Sequence, residues 1–326
     1  MIRRFLEAGD LTSFLRAHRP ERQIAQLTRL AEATTKGVYR ITYDDETTHI
    51  LYAWADAENY WPEGPDPAGA PFRQASGGSE FRACHAELAA AGVRVPLLHV
   101  VDQSQHFYPA DLALVEDFPA GSLEDLLERD AVAADRTLWQ FGELLRAMHD
   151  RTSPRFGKVG VTGVTGCAEE RPEEFAARRA LRHLAAAARR APRLAEAREQ
   201  VVARIYQLRQ AIAPRAEFRL VHGELHPGHV LLDQSLAPVL IDIEGLTYFD
   251  VEWEHAFLRI ILEPEHYQRL DPPAVDESRV AFYDFAQRLS LIEGPLRIAA
   301  TDFPRGDFMR EIAAYHLGRV LELSAP

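Results

Sequence analysis

Cysteine and lysine are nearly missing from this chain of 326 residues. Two cysteines, Cys84 and Cys167, cannot build a disulfide framework, so core thiols and a reducing, cytoplasmic setting are expected. Lys36 and Lys158 are the only lysines among 37 basic residues, the rest being arginine. Any chemistry that needs a lysine therefore has two candidates. No apolar run approaches the roughly 18 residues that span a bilayer. Glu7 and Asp10 interrupt the opening MIRRFLEAGDLTSFL, which reads against a signal-peptide core. Cationic excess is also lacking: the net charge of −12 disfavours nucleic acid and anionic lipid, so neither partner is expected. What remains is an ordinary globular composition, 47% apolar and 26% charged, long enough for about two domains.

The first 117 residues read as a small strand-rich unit. Between Gln26 and Trp54, Val38–Tyr43 and Thr47–Trp54 are rich in β-branched and aromatic residues around an Asp44-Asp45-Glu46 turn. Ala33–Gly37 before them is small and polar enough for a loop over a ligand. Glu58–Gly78, rich in proline and glycine, reads as a loop. The spacing of 79–91 predicts a helix with Ser79 as its N-cap. Val93–Val101 and Leu112–Val115 read as strands. At Glu116-Asp117-Phe118-Pro119-Ala120-Gly121 a connector opens residues 118–326, which are mostly helical. Leu138–His149 is amphipathic. Glu173–Ile212 is helical, broken near Pro192, with its many arginines on a solvated face. Short strands are expected at Phe218–Val221, Val230–Leu232 and Pro238–Ile241, with helices after Asp250.

The chemistry concentrates in LVHGELHPGHVLLDQSLAPVLIDIEGLTYFDVEWEHAF, Leu220–Phe257. A strand leads into His222-Gly223-Glu224, His229 follows five residues after Glu224, and another strand delivers Asp242. One carboxylate to take a hydroxyl proton, with metal-capable side chains beside it, is the set phosphoryl transfer requires. The irregular spacing of His222, His226 and His229 around Pro227 excludes a helical two-histidine zinc site. No G-x-S-x-G serine-hydrolase elbow occurs.

HGELHPGHVL followed by IDIE resembles the aminoglycoside phosphotransferase family, approximately HGDLHPGNVL and IDWE, which shares the protein-kinase fold. ALVEDFPAGSLEDLL is similar to that family's hinge, FGELLRAMHD to the helix after it, and EFRACHAELAAAGVRVP to its N-lobe helix and following strand. The resemblance covers roughly Thr34–Phe257. It implies an α+β, two-lobed protein-kinase-like fold: an antiparallel-sheet N-lobe over 1–117 and a larger helical C-lobe over 118–326. It also implies ATP or GTP as cofactor, with divalent Mg or Mn. Glu224 would be the catalytic carboxylate, and His229 and Asp242 would hold metal, with Glu244 as a further ligand. Glu116, Asp117 and Phe118 would form the hinge that binds the base.

Three departures stand out. Glu224 replaces the family's aspartate, and His229 its asparagine, which suits Mn²⁺ better than Mg²⁺. The N-lobe lysine is missing: Tyr52 falls near its position, leaving Glu80 without its usual mate. Lys36, beside Gly37 in the phosphate loop, is expected to substitute, with Arg40 as the other candidate. His222 is expected to brace the loop, His226 to sit beside substrate or solvent, and Asp250 to cap the next helix. The implied function is transfer of phosphate to a small-molecule hydroxyl, an aminoglycoside or amino sugar being the example, and the acidic balance suits a cationic acceptor. The alternative is a catalytically silent kinase-fold protein that binds a nucleotide, small ligand or partner. Nothing in the sequence specifies an oligomeric state.

Overall fold

The computed structural model describes residues 3–30, 33–67, 70–73, 77–160, 163–165 and 170–325. Cys167 lies outside them. A short helix α1 (Thr12–His18) precedes strands β1 (Ile24–Arg29), β2 (Gly37–Tyr43) and β3 (Thr48–Ala53). Helix α2 (Gly78–Ala90) leads to β4 (Leu98–Asp102) and β5 (Leu112–Glu116). The five strands form one antiparallel sheet in the order β1-β2-β3-β5-β4. Alternation sorts its two faces. Tyr39, Ile41, Tyr43 and Leu51 are buried against Leu11, Phe14 and Leu15 near the N-terminus, while Ile50 and Tyr52 join Phe81 and Leu88 of α2 in the main core.

Three local expectations are corrected. Residues 24–54 hold three strands rather than two: β1 pairs on one side only, so its pattern never becomes strongly apolar. The strand expected over Val93–Val101 begins only at Leu98, since Pro96 has no amide to donate to a ladder. Helix α2 is not capped by Ser79. It starts at Gly78, whose amide donates to Asp111 Oδ2 at 2.9 Å, and the Ser79 hydroxyl accepts from Gln103 instead.

Past the hinge come α3 (Leu123–Arg129) and α4 (Ala131–His149), the first closed by a reciprocal Ser122–Asp125 capping box. Strands β6 (Thr152–Ser153), β7 (Gly157–Gly160) and β8 (Gly163–Thr165) precede helices α5 (Pro172–Ala188), α6 (Pro192–Glu196) and α7 (Arg198–Gln210). Strand β9 (Phe218–Val221), the hairpin β10 (Val230–Leu232) and β11 (Pro238–Leu240), and β12 (Thr247–Phe249) follow. The chain closes with α8 (Val251–Ile261), α9 (Pro264–Arg269), α10 (Glu277–Ile298) and α11 (Gly306–Ser324). A second five-stranded sheet runs β6-β9-β12-β7-β8. The loop between β9 and β10 thus starts from a buried sheet and ends in a hairpin, which fixes both of its ends. This is the two-lobed, mixed fold with an antiparallel N-terminal sheet that the motifs imply.

The proline- and glycine-rich stretch after β3 does more than connect. Residues 56–67 and 70–73 run from the first sheet onto the helices of the second lobe. Asp66 accepts from Arg179 at 2.8 Å and Arg182 at 2.9 Å, both on α5, and Pro62 O accepts from Arg297 of α10. Arg179 is 6% exposed, so this arginine of the helical stretch is not on a solvated face as expected but buried with a partner.

No helix among the described residues is long and apolar enough to cross a membrane.

Candidate active site

The β9–β10 loop is held from below. Glu254 of α8, wholly buried, accepts the backbone amides of His222 and Gly223, the latter at 3.3 Å, and Trp253 Nε1 donates to Gly223 O at 3.2 Å. Burial pushes the Glu254 carboxyl up to about 7, against the pull of those amides. The His222 ring donates Nε2–H to Ile241 O at 2.9 Å, tying the loop to the strand that delivers Asp242. It therefore braces the loop, as expected. Sequence reasoning missed Glu254; the available signal was a glutamate among apolar residues on the buried side of an amphipathic helix.

Asp242 adopts a left-handed conformation, φ 57°, at a cost of roughly 1 kcal/mol for a residue with a Cβ. Such strain persists only where its surroundings enforce it. Its Oδ1 accepts from Lys36 Nζ at 2.7 Å, and its Oδ2 stands 3.6 Å from His229 Nε2. Lys36 also donates to Glu244 Oε1 at 2.6 Å, and its ammonium lies 5.1 Å from the centre of the Tyr52 ring. Burial alone would lower the Lys36 pKa, but Asp242 and Glu244 outweigh it and hold the ammonium charged well above its ordinary range. The same lysine keeps the Asp242 carboxylate ionised against its own burial. Tyr52, on β3, forms the aromatic wall behind a lysine that arrives from the loop before β2.

His229 Nδ1 lies 3.1 Å from Glu224 O. A carbonyl only accepts, so Nδ1 carries the proton and the Nε2 lone pair is left toward Asp242. Burial, partly offset by Asp242, pushes His229 down to about 3. Neutral imidazole and ionised carboxylate, 3.6 Å apart, are a donor pair that one divalent ion can bridge at bond lengths of ~2.1 Å. No cluster of three or more His, Cys, Asp or Glu side chains suited to a metal occurs among the described residues, and the nearby Glu244 carries Lys36. His226 lies close by, its ring centre 3.8 Å from that of His229, and accepts from the Gly228 amide.

Glu224 projects its side chain into the open cleft. The cleft walls, and then the charge of Asp242, raise its carboxyl above the ordinary range, while Arg179, Lys158 and His183 pull the other way. Lys158 comes from β7, is 8% exposed, and donates to Arg73 O at 2.7 Å. Burial lowers its pKa, opposed by Cys84, Glu80, Glu224 and Glu244. Both lysines of the chain thus sit about one acidic cluster. Glu80, expected to lack a mate, has Lys158 within electrostatic reach. Cys84 is a buried thiol pushed up to about 12 by burial, a core residue as expected.

Other anticipated residues do different work. Arg40 does not share the Lys36 site: it donates to Asp117 at 2.7 and 3.0 Å, committing both charges to the hinge. Glu116 accepts from Arg94 at 2.9 and 3.0 Å and from the Leu97 amide, and Phe118 is buried beneath the Arg94 guanidinium. The hinge side chains are therefore fixed by protein partners. At Gly37 a Cβ would fall 2.6 Å from the Tyr39 ring and 2.7 Å from the Glu58 carboxyl, so packing alone demands glycine there. Asp250 precedes α8 but makes no side-chain cap. Its buried carboxylate takes Arg279 and Tyr283 instead, joining α8 to α10.

Comparison with known proteins places the fold in a family. Residues 55–291 match the phosphotransferase enzyme family known as APH, and the chain belongs to that family of enzymes. No curated protein matches the chain. Among solved structures, a thermostable mutant of aminoglycoside phosphotransferase APH(4)-Ia shares the fold with a TM-score of 0.67 and 16% identity, over 96% of this chain and 97% of that one. Spectinomycin phosphotransferase APH(9)-Ia, solved with ADP and spectinomycin, gives 0.63 and 14% over 98% of each. A fructosamine-3-kinase homologue from Thermobifida fusca gives 0.55 and 19%, over 96% and 98%.

Proposed function

We propose that this phosphotransferase moves the γ-phosphate of ATP or GTP to a hydroxyl of a small molecule at Glu224. The observation that carries the reading is convergence: Lys36 and His229 both meet Asp242, and Glu224 stands in the same cleft. Side chains from three separate segments meet in one site, in which a single ammonium faces several carboxylates. That argues for a rebuilt centre and against a silent relic.

In the proposed step the acceptor oxygen attacks the γ-phosphorus, the bond to the β-phosphate oxygen breaks, and Glu224 takes the hydroxyl proton. The products are a phosphate monoester and a nucleoside diphosphate. Lys36 supplies the positive charge that the strand position occupied by Tyr52 no longer offers. Glu244 anchors that lysine, so we assign Glu244 to charge positioning. Asp242 and His229 would hold a divalent ion, Mn²⁺ or Mg²⁺, which neutralises phosphate charge when bound. The hinge backbone at Glu116–Phe118 would read the base.

Incubation with γ-labelled ATP and a panel of hydroxylated acceptors tests the reading. Labelled monoester is expected from the wild-type chain and not from Glu224→Gln. Absence of label with every acceptor and both metals would overturn it.

A further inference from the structure

The cavity next to Glu224 has a volume of about 690 Å³ and is bounded by strap residues 59, 61–66, 72 and 73 on one side and by helices α5, α8, α10 and α11 on the others. Its character does not match the cationic acceptor that the acidic composition suggests. Asp66, at its wall, is matched by Arg179 and Arg182 and contacts His183 at 3.2 Å. Glu293, behind the wall, is matched by Arg297 at 3.0 Å and stands 3.6 Å from the other nitrogen of His183. Arg297 already stacks on Trp61, 4.9 Å from the ring centre, so a cation occupies that aromatic face. Beyond the proton-accepting Glu224, the remaining lining acids, Glu63 and Glu124, share the cavity with Arg73. A polyamine carrying several charges would meet nearly as many guanidinium groups as carboxylates, and burying unmatched charge is costly.

The apolar surface shows what would bind instead. Phe72 and Trp253 stack face to face, ring centres 4.1 Å apart and planes inclined by 6°, as a buried apolar floor beside Gly223 and Glu224, only 8% and 2% exposed. Trp61, Phe257 and Leu291 extend it. Ile261 and Phe308, 40% and 44% exposed, also line the cavity, so large apolar side chains are left open to solvent at the site itself. We infer that the acceptor is a neutral hydroxylated molecule with a flat or macrocyclic apolar body, bound against the accessible side chains of Trp61, Leu291, Ile261 and Phe308 with one hydroxyl at Glu224, and not a polycation. The inference rests on the phosphotransfer reading for the role of that hydroxyl, while the pocket's preference can be measured without any turnover.

Quenching of tryptophan fluorescence, with Trp61 and Trp253 as reporters, tests it on the full chain without nucleotide. The two probes are 2-naphthyl β-D-glucoside, neutral and flat, and kanamycin, a polycation. The naphthyl glucoside is expected to bind at least tenfold more tightly. Phe308→Glu, on an exposed side chain, is expected to weaken it at least fivefold, with ATP titration as the check that the fold is intact. Equal or tighter binding of kanamycin would overturn the inference, as would failure of the naphthyl glucoside to bind at millimolar concentration. Retained naphthyl glucoside binding in a chain that binds no ATP would instead refute the phosphotransfer reading and leave the pocket assignment standing.

Discussion

Glu224 reaches one methylene further than the aspartate of the related motif, and the loop that carries it is held by the buried Glu254, which accepts the Gly223 amide. Positioned proton acceptors contribute about 10²- to 10⁴-fold to rate. Glu224→Gln is expected to lower turnover within that range and leave ATP affinity within about twofold, checked by initial rates alongside calorimetry. A matching loss of ATP affinity would place Glu224 with the nucleotide instead. At this scale the sequence carried the loop well, because Glu224, His229 and Asp242 lie within 19 residues of one another in a recognisable pattern. Arg40 was not legible. Nothing in its neighbours marks Asp117, 77 positions away, as the partner that takes its charge.

Elements set the loop's conformation, and helix α8 does so through a titratable group. Glu254 is pushed up to about 7, against an ordinary value of 4.5 that the unfolded chain retains. Between those values the folded state binds more protons than the unfolded one. Stability contributed by this group therefore falls as pH rises from about 4.5 to about 7 and is level above that, by up to roughly 3 kcal/mol. Glu254→Gln keeps an acceptor for the loop amides and removes the titration. Urea unfolding at pH 5 and pH 7.5 is expected to show a smaller pH-dependent decline in the variant than in the wild type. An identical decline would contradict the assignment. Strand and helix identities were mostly readable from periodicity, but β1 was not, since an edge strand paired on one side needs no apolar alternation. Nor was the Gly78 start of α2, where the cap is lent by Asp111 from another segment.

Over the whole molecule, the strap of residues 56–67 joins the lobes a second time, outside the hinge. Its composition marked it as a loop and could not reveal where it lands, because Asp66 meets Arg179 across 113 positions. Asp66→Ala leaves Arg179 and its neighbours without their buried counter-ion, a change that typically costs about 3–5 kcal/mol. The expected signature is a lower unfolding midpoint together with a raised KM for acceptor and little change in KM for ATP. Equal effects on both constants would show that the strap supports the nucleotide side as well. The same lobe junction brings a loop lysine to a strand-end aspartate more than 200 positions away, the contact on which the proposed chemistry turns.

Calorimetric titration of ATP, with Mg²⁺ and Mn²⁺ in parallel, into the wild-type chain and Lys36→Ala tests that contact most directly. One ATP per chain is expected for the wild type, with affinity at least tenfold lower in a variant whose folded state is verified by its unfolding curve. Unchanged affinity in Lys36→Ala, or no ATP binding by the wild type with either metal, would contradict the account.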